Sequence, residues 1–250
     1  MTDAPQILFE DDALLIINKP AGITVNRSET TKDDTVQDWA EDYLGITKEG
    51  VLSTEPGIDF YDRGGIVHRL DKETSGVLVL AKTPEAFLAA QGQFKERVVL
   101  KKYLALTHGI VTPAQGEIKA PVGRLPWNRT QFGIVAGGRD SVTFYERIGV
   151  YDLPEKGGGK EKGSLLELTP HTGRTHQIRV HLKYIGHPIF ADFLYAGRKT
   201  AREDRKLLER VFLHAQSLSL LHPKTGERLE FKAPLPPELE DVLAKLKRVE

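Results

Sequence analysis

"GIVHRLDKETSGVLVLAKT", Gly65 to Thr83, runs from apolar to densely charged and back to apolar. His68, Arg69, Asp71, Lys72 and Glu73 are crowded between Gly65 and Gly76. Val77–Ala81 then reads as a buried strand, because a short continuous apolar run bounded by turn residues suits a sheet interior. Thr83-Pro84-Glu85 marks a helix start, with a hydroxyl cap, proline at the first turn and an acid at the positive end of the helix dipole. That helix is expected to run to about Arg97. A sharp charged connector, a strand and a helix in this order define a rigid frame that presents side chains from a loop.

Working outward, Ile7–Phe9 and Leu14–Asn18 flank Glu-Asp-Asp and predict a hairpin. "NKPAGI" breaks the chain after it. Val36, Trp39, Ala40 and Tyr43 recur at helical spacing within Thr35–Leu44, and Gly45–Gly64 reads as loop. Tyr103–Thr107, Val142–Ile148, Ser164–Thr169 and Phe212–Leu221 are expected strands. Pro121–Gly138 is expected to be a long loop, and Glu155–Gly163 a flexible, solvated hairpin tip. Thr172 is expected to cap a helix running to Ile185, stopped by Gly186 and Pro188. "HPKTGE" reads as a turn, and Leu239, Val242, Leu243 and Leu246 mark a C-terminal amphipathic helix. Strands and helices mix without regular alternation. The expected class is therefore α+β, with a mixed, largely antiparallel central sheet, flanking helices and a catalytic cleft, in one domain over 1–250.

The 250 residues are 40% hydrophobic and 28% charged, an ordinary globular balance. No apolar run approaches the ~18 residues that span a bilayer, and the acidic N-terminus lacks a signal-peptide core. A cytoplasmic protein without membrane contact is expected. There is no cysteine, which excludes disulfides, thiolate nucleophiles and zinc–thiolate sites. Net charge is zero, but its distribution is uneven. Ser28–Asp62 holds ten acids and two bases, whereas His171–Lys206 holds eight bases and three acids, and Lys119–Arg139 four bases and no acid. A neutral chain with basic segments can still offer a positive face to a polyanion.

His171, His176, His181 and His187 are spaced by five, five and six residues. A pair five apart on a helix points about 140° apart, so His176 and His181 cannot share a face, and no metal site is expected. Ser75 lacks the G-x-S-x-G elbow of a hydrolase, and no phosphate loop or dinucleotide fingerprint is present. Thr74 and Ser75 are instead expected to bond the local backbone and hold a turn. Asp71 remains. A loop aspartate is ordinarily a turn or cap residue. Here the flanking glycines, the rigid strand and the neighbouring Arg69 and Lys72 also suit an ionised carboxylate that attacks or stabilises a cationic sugar.

At these residues the sequence resembles the RluA-class RNA pseudouridine synthases. "INKPAGITV" (Ile17–Val25) is similar to the family's opening strand and turn, and Gly65–Thr83 to its catalytic motif. "KKYLAL" (Lys101–Leu106), "TGRTHQIRVHLKYIGHPIFAD" with Tyr195, and "LHAQSLSLLHPKTGE" (Leu213–Glu227) resemble its remaining motifs in order. The resemblance implies an isomerase that breaks the N1–C1′ bond of a uridine, rotates the uracil and joins C5 to C1′, without cofactor or metal. It implies Asp71 as the reagent, acting on the sugar or the base. Tyr103 would lie against the uracil and Arg179 would pair with Asp71. Leu213 would touch the other face of the base, and Arg69 would fill space near the displaced nucleotide or hold its phosphate. Arg124, Asn128 and Arg129 resemble the family's RNA-facing loop, and Arg174 belongs to a second basic cluster with Arg179.

The expected partner is ribosomal or transfer RNA, bound by a monomer that flips its target uridine. No S4-type RNA-binding domain is expected in this chain. Asn26 and Leu125 stand where relatives often carry a histidine and an acid, which touches target choice rather than chemistry. The competing readings are a non-catalytic RNA-binding protein that retains the fold, and a glycoside or nucleoside hydrolase pairing Asp71 with Glu73.

Overall fold

The computed structural model describes residues 4–28, 31–47, 57–154 and 160–250. In chain order, strands β1 (Gln6–Glu10) and β2 (Leu14–Lys19) are followed by helices α1 (Val36–Leu44) and α2 (Ile58–Asp62). Next come β3 (Ser75–Ala81), α3 (Pro84–Glu96), β4 (Leu100–His108), β5 (Gln115–Lys119), β6 (Val122–Leu125) and β7 (Asn128–Ile134). Then follow β8 (Val142–Pro154), β9 (Lys160–Pro170), α4 (Gln177–Tyr184), α5 (Arg198–Asp204) and β10 (Leu213–Leu221). The chain ends with β11 (Arg228–Lys232), α6 (Pro237–Lys245) and β12 (Lys247–Arg248). The architecture is α+β.

The chain forms two compact units that interleave in sequence. The first holds Met1–Leu100 and takes back Ala215–Pro234; the second holds Lys101–His214 and Leu235–Glu250. No single cut in the sequence separates them.

In the first unit the strand order is β1-β2-β3-β10, with β11 also paired to β10. β2 and β3 pair antiparallel in continuous register from Leu14↔Ala81 to Lys19↔Gly76. Every residue of β3 is buried, as its unbroken apolar run requires. Phe60, Val67, Val77, Val79, Phe87 and Ala90 form the core between this sheet and the helices beside it. α1 opens with a reciprocal capping box, in which the Thr35 hydroxyl accepts from Asp38 N and the Asp38 carboxylate accepts from Thr35 N. α3 begins after the Thr83 cap with Pro84 in its first turn and ends at Arg97, whose φ of 64° closes the helix, as its sequence signals require. Ile58–Asp62, read as loop, is a short helix that buries Phe60.

The two glycines that bracket the charged loop answer to different backbones. A Cβ on Gly65 (φ +74°) would lie 2.3 Å from Ala81 O, and one on Gly76 (φ +117°) would lie 2.2 Å from Ala215 O. Both obstacles are main chain and cannot swing aside. Gly76→Ala is expected to destabilise the protein by at least about 2 kcal/mol, combining backbone strain with a steric clash, as read from denaturant midpoints. An unchanged midpoint would mean that the loop's close approach to this strand is not required.

In the second unit β4-β9-β8-β12 form the sheet, with β5 also on β8. β4 pairs β9 from Tyr103↔Leu168 to His108↔Gly163, and β8 with β9 makes a long hairpin. The expected flexible tip lies, over 155–159, outside the described residues. Pro121–Gly138, expected to be a loop, contains the β6–β7 hairpin, turned at Pro126-Trp127. α4 also begins later than expected. Thr172 lies before the helix, where its hydroxyl accepts from Val142 N (3.1 Å) and donates to Gln177 Oε1 (2.7 Å). His176, at φ 56°, occupies the cap position without a side-chain cap bond. The C-terminal helix is present as α6 and buries Leu239 and Val242.

Candidate active site

Asp71 sits in the first unit, on the loop between Leu70 and β3, and is half-buried. The turn that follows it is closed by Thr74 N donating to Asp71 O (3.0 Å). The Thr74 hydroxyl, expected to bond the backbone, is buried and finds no hydrogen-bond partner. The turn is instead anchored from below. Lys19, fully buried, donates from Nζ to Pro20 O (2.7 Å), Ile23 O (3.0 Å) and Lys72 O (3.2 Å). Gly22 N adds a bond to the same Lys72 carbonyl (2.8 Å). A buried ammonium is tolerated only when its donors are satisfied. Here that requirement fastens the "NKPAGI" turn to the residue after Asp71. Arg69 is exposed on the same loop, and Lys72 lies 3.5 Å from Asp33. His68 packs: its ring stacks on Phe94 (4.6 Å) and its Nε2 accepts from Val79 N (3.0 Å).

The second unit carries Tyr103, Arg179, Leu213, Arg174, Arg124, Asn128 and Arg129. Tyr103 is half-buried on β4, opposite Leu168. Arg179 is no surface helix arginine; it is 6% exposed on α4. Its Nε and Nη2 donate to Asp192 Oδ2 and Oδ1, both at 2.8 Å, and its guanidinium lies 5.0 Å over the Tyr195 ring. This fork-to-fork pairing fixes the guanidinium plane. Asp192 is itself fixed, since its Oδ1 accepts from Leu194 N (3.0 Å) and Tyr195 N (3.2 Å). Leu213 is 3% exposed and belongs to the core of this unit. Just before it, Arg210 donates to Val211 O, Leu213 O and the Glu238 carboxylate, tying the start of β10 to α6.

Arg174 is half-buried, with its Nε enclosed and without a hydrogen-bond partner. Arg124, on β6, lies 5.4 Å over Phe132. Asn128 and Arg129 open β7. The hairpin is moored to α4 and the segment after it: Phe132 N donates to Tyr195 Oη (3.1 Å), which also bonds His176 Nδ1 (2.8 Å). His181 is a structural histidine. It is fully buried between Thr143 Oγ1 and Ala120 O, and burial holds its pKa below the ordinary value.

Lys19, Asp192 and Gln177 were not singled out from sequence, and Tyr195 was named only as the close of a motif. Gln177 stitches α4 to β8 through Val142 O and Thr143 Oγ1. The available signals were a lysine closing an apolar strand and an aspartate inside the apolar run "PIFADF".

A second ion network braces the end of β4. Buried His108 contacts Asp204 Oδ2 (2.9 Å) through Nε2 and Glu161 Oε1 (3.2 Å) through Nδ1. Asp204 Oδ2 also accepts from Ala191 N, beside Asp192. Burial disfavours the His108 imidazolium, but the Asp204 and Glu161 carboxylates outweigh it and raise the pKa above the usual 6.5. The folded state therefore holds its proton more tightly than the unfolded chain. The resulting stability is present below the unfolded pKa and is lost as pH rises through the folded one. Thermal unfolding of the wild type is expected to shift downward between about pH 6 and pH 8 by more than that of His108→Gln. Equal pH slopes would remove the network from the account.

Residues 13–184 match the model of the RNA pseudouridylate synthase family. Over 251 aligned positions the chain is 38% identical to the ribosomal large subunit pseudouridine synthase D of Neisseria meningitidis, covering 98% of this chain and 62% of that protein. It is 39% identical to an uncharacterised RNA pseudouridine synthase of Synechocystis, covering 97% and 69% of the two. The chain thus spans about two thirds of these relatives' length. The solved structure of human RNA pseudouridylate synthase domain containing 1 superposes with a TM-score of 0.72 at 27% identity, covering 97% of this chain and 89% of that one. With the five motifs in order and this agreement along nearly the whole chain, the protein belongs to the RNA pseudouridylate synthase family, in its RluA class.

Proposed function

We propose that this chain isomerises specific uridines in ribosomal or transfer RNA to pseudouridine, with Asp71 as the reagent. The observation that carries the reading is the mounting of Asp71. A half-exposed carboxylate stands on a turn pinned by a buried ammonium and bracketed by two glycines that accept no side chain. Such a mounting fixes a reacting group in place before substrate arrives. Family membership supports the chemistry.

In this reading the N1–C1′ bond breaks, the uracil turns, and C5 joins C1′. C5 gives up its proton and N1 ends with one, so the nucleoside keeps its mass. Tyr103 lies against the ring, where a phenol can stack and assist departure of the C5 proton. Arg179, held rigid by Asp192, orients the Asp71 carboxylate. Arg69 and Arg174 hold the displaced nucleotide's phosphates, and Leu213 covers the base. The uridine must leave its stack to be reached, at a cost of a few kcal/mol that is least in a loop. The described part of the acidic Ser28–Asp62 segment faces away from the RNA. The protein acts as a monomer in the cytoplasm.

The test is incubation with unmodified ribosomal and transfer RNA transcripts, followed by nucleoside analysis. Pseudouridine at discrete positions is expected in at least one RNA class. Absence of pseudouridine from both would refute the proposal.

A further inference from the structure

Trp127 is the most exposed large apolar side chain of the described residues, with 79% of its surface open. Scattered exposed hydrophobics are common and by themselves mean little. The setting of this one is unusual. It occupies the second position of the two-residue turn joining β6 to β7. Pro126 before it fixes one backbone angle of that turn. The hairpin below is moored at several points: Phe132 N bonds Tyr195 Oη, Gln131 Nε2 donates to Leu194 O (3.3 Å), and Val122 packs with Val180 and Tyr195. The indole is thus held out on a braced support.

Charge identifies what it is held out to. The segment Lys119–Arg139 carries four bases and no acid; Asn128 directly follows the tip and Arg124 lies on β6 two residues before Pro126. An apolar protein partner would favour an apolar rim around such an anchor. An exposed aromatic face on a braced turn, in a segment that carries bases and no acid and with an amide side chain next in sequence, instead matches the means by which proteins hold unpaired nucleobases. Little ordering is required on binding, because the support is already formed.

We infer that Trp127 is a stacking platform for an unpaired base of the substrate RNA, other than the target uridine, and that it contributes to the choice of target. This rests on the proposed RNA substrate and adds a contact to it.

Three proteins test it: wild type, Trp127→Phe and Trp127→Ala. The probe is a short RNA stem–loop with uridines in its loop, end-labelled for anisotropy at fixed salt, with the fully paired duplex as control. Trp39 is the other tryptophan, so the Phe variant reports its emission alone. The stem–loop is expected to quench a component of wild-type emission that the Phe variant lacks. Trp127→Ala is expected to weaken stem–loop binding roughly 5- to 150-fold, the range of one base–aromatic stack, with Trp127→Phe in between. The duplex should show little of either effect. If the stem–loop binds and is converted to the same extent by the Ala variant, and wild-type emission does not move, the stacking proposal fails while the enzymatic reading stands. If wild-type protein neither binds nor converts any RNA, the enzymatic reading fails and takes the platform with it. Emission that moves with RNA-free ribosomal protein but not with RNA would make the tip a protein contact and overturn the inference.

Discussion

Asp71→Asn is expected to yield a folded protein whose conversion of uridine falls by at least about 10⁴-fold, a loss of the size that follows removal of a covalent catalyst's reacting group. The substitution keeps size and shape and removes only the negative charge. The turn bonds described above are accepted by main-chain carbonyls and do not use the Asp71 carboxylate: Thr74 N to Asp71 O, and Lys19 Nζ and Gly22 N to Lys72 O. Those bonds survive the change, so the thermal midpoint should move little. Activity and stability are thereby separated in a single variant. A folded Asn variant that retained even a hundredth of wild-type turnover would deprive Asp71 of its role. The reacting group would then have to be sought elsewhere on the chain.

The second large effect falls on the Arg179–Asp192 pair. Both groups are buried, at 6% and 0% exposure, and they exchange two bonds of 2.8 Å. Taking the charge from one partner leaves the other uncompensated out of water, which costs about 3–5 kcal/mol. Asp192→Asn alone and Arg179→Met alone should each destabilise by about that amount. Combined, the two changes leave no unpaired charge. The asparagine oxygen can still accept from Leu194 N and Tyr195 N. The double variant should therefore recover much of the lost stability, because a buried ion pair is often worth little more than an apolar one. Its activity should stay low if Arg179 orients the reagent. Full activity in a restabilised double variant would reduce Arg179 to a packing element.

Much of this architecture was legible in the residues. Val77–Ala81 and Leu14–Asn18 announce buried strands by composition, and Thr83-Pro84-Glu85 announces its helix by cap chemistry. The Asp71 loop is visible because glycines and charges are conspicuous against apolar strands. What was missed is non-local or lacks a local pattern. Pro121–Gly138 is punctuated like a loop, yet it folds as a hairpin because Tyr195 and Leu194, far along the chain, supply its anchors. α5 is mostly charged and carries no apolar stripe to betray it. Thr172 has the chemistry of a helix cap, but its hydroxyl is used by Val142 and Gln177 instead. Arg179 gives no sign of burial, because its carboxylate partner lies thirteen residues away beyond the end of the helix. Lys19 is a lysine beside a proline, and only tertiary structure turns it into the anchor of the Asp71 loop.

The most direct test of Asp71 as the reagent uses RNA whose uridines carry tritium at C5. Release of tritium to water in step with pseudouridine formation, with no free uracil and none of this with Asp71→Asn, is the predicted result. Free uracil from the wild type, or tritium release that persists undiminished in the Asn variant, would contradict it.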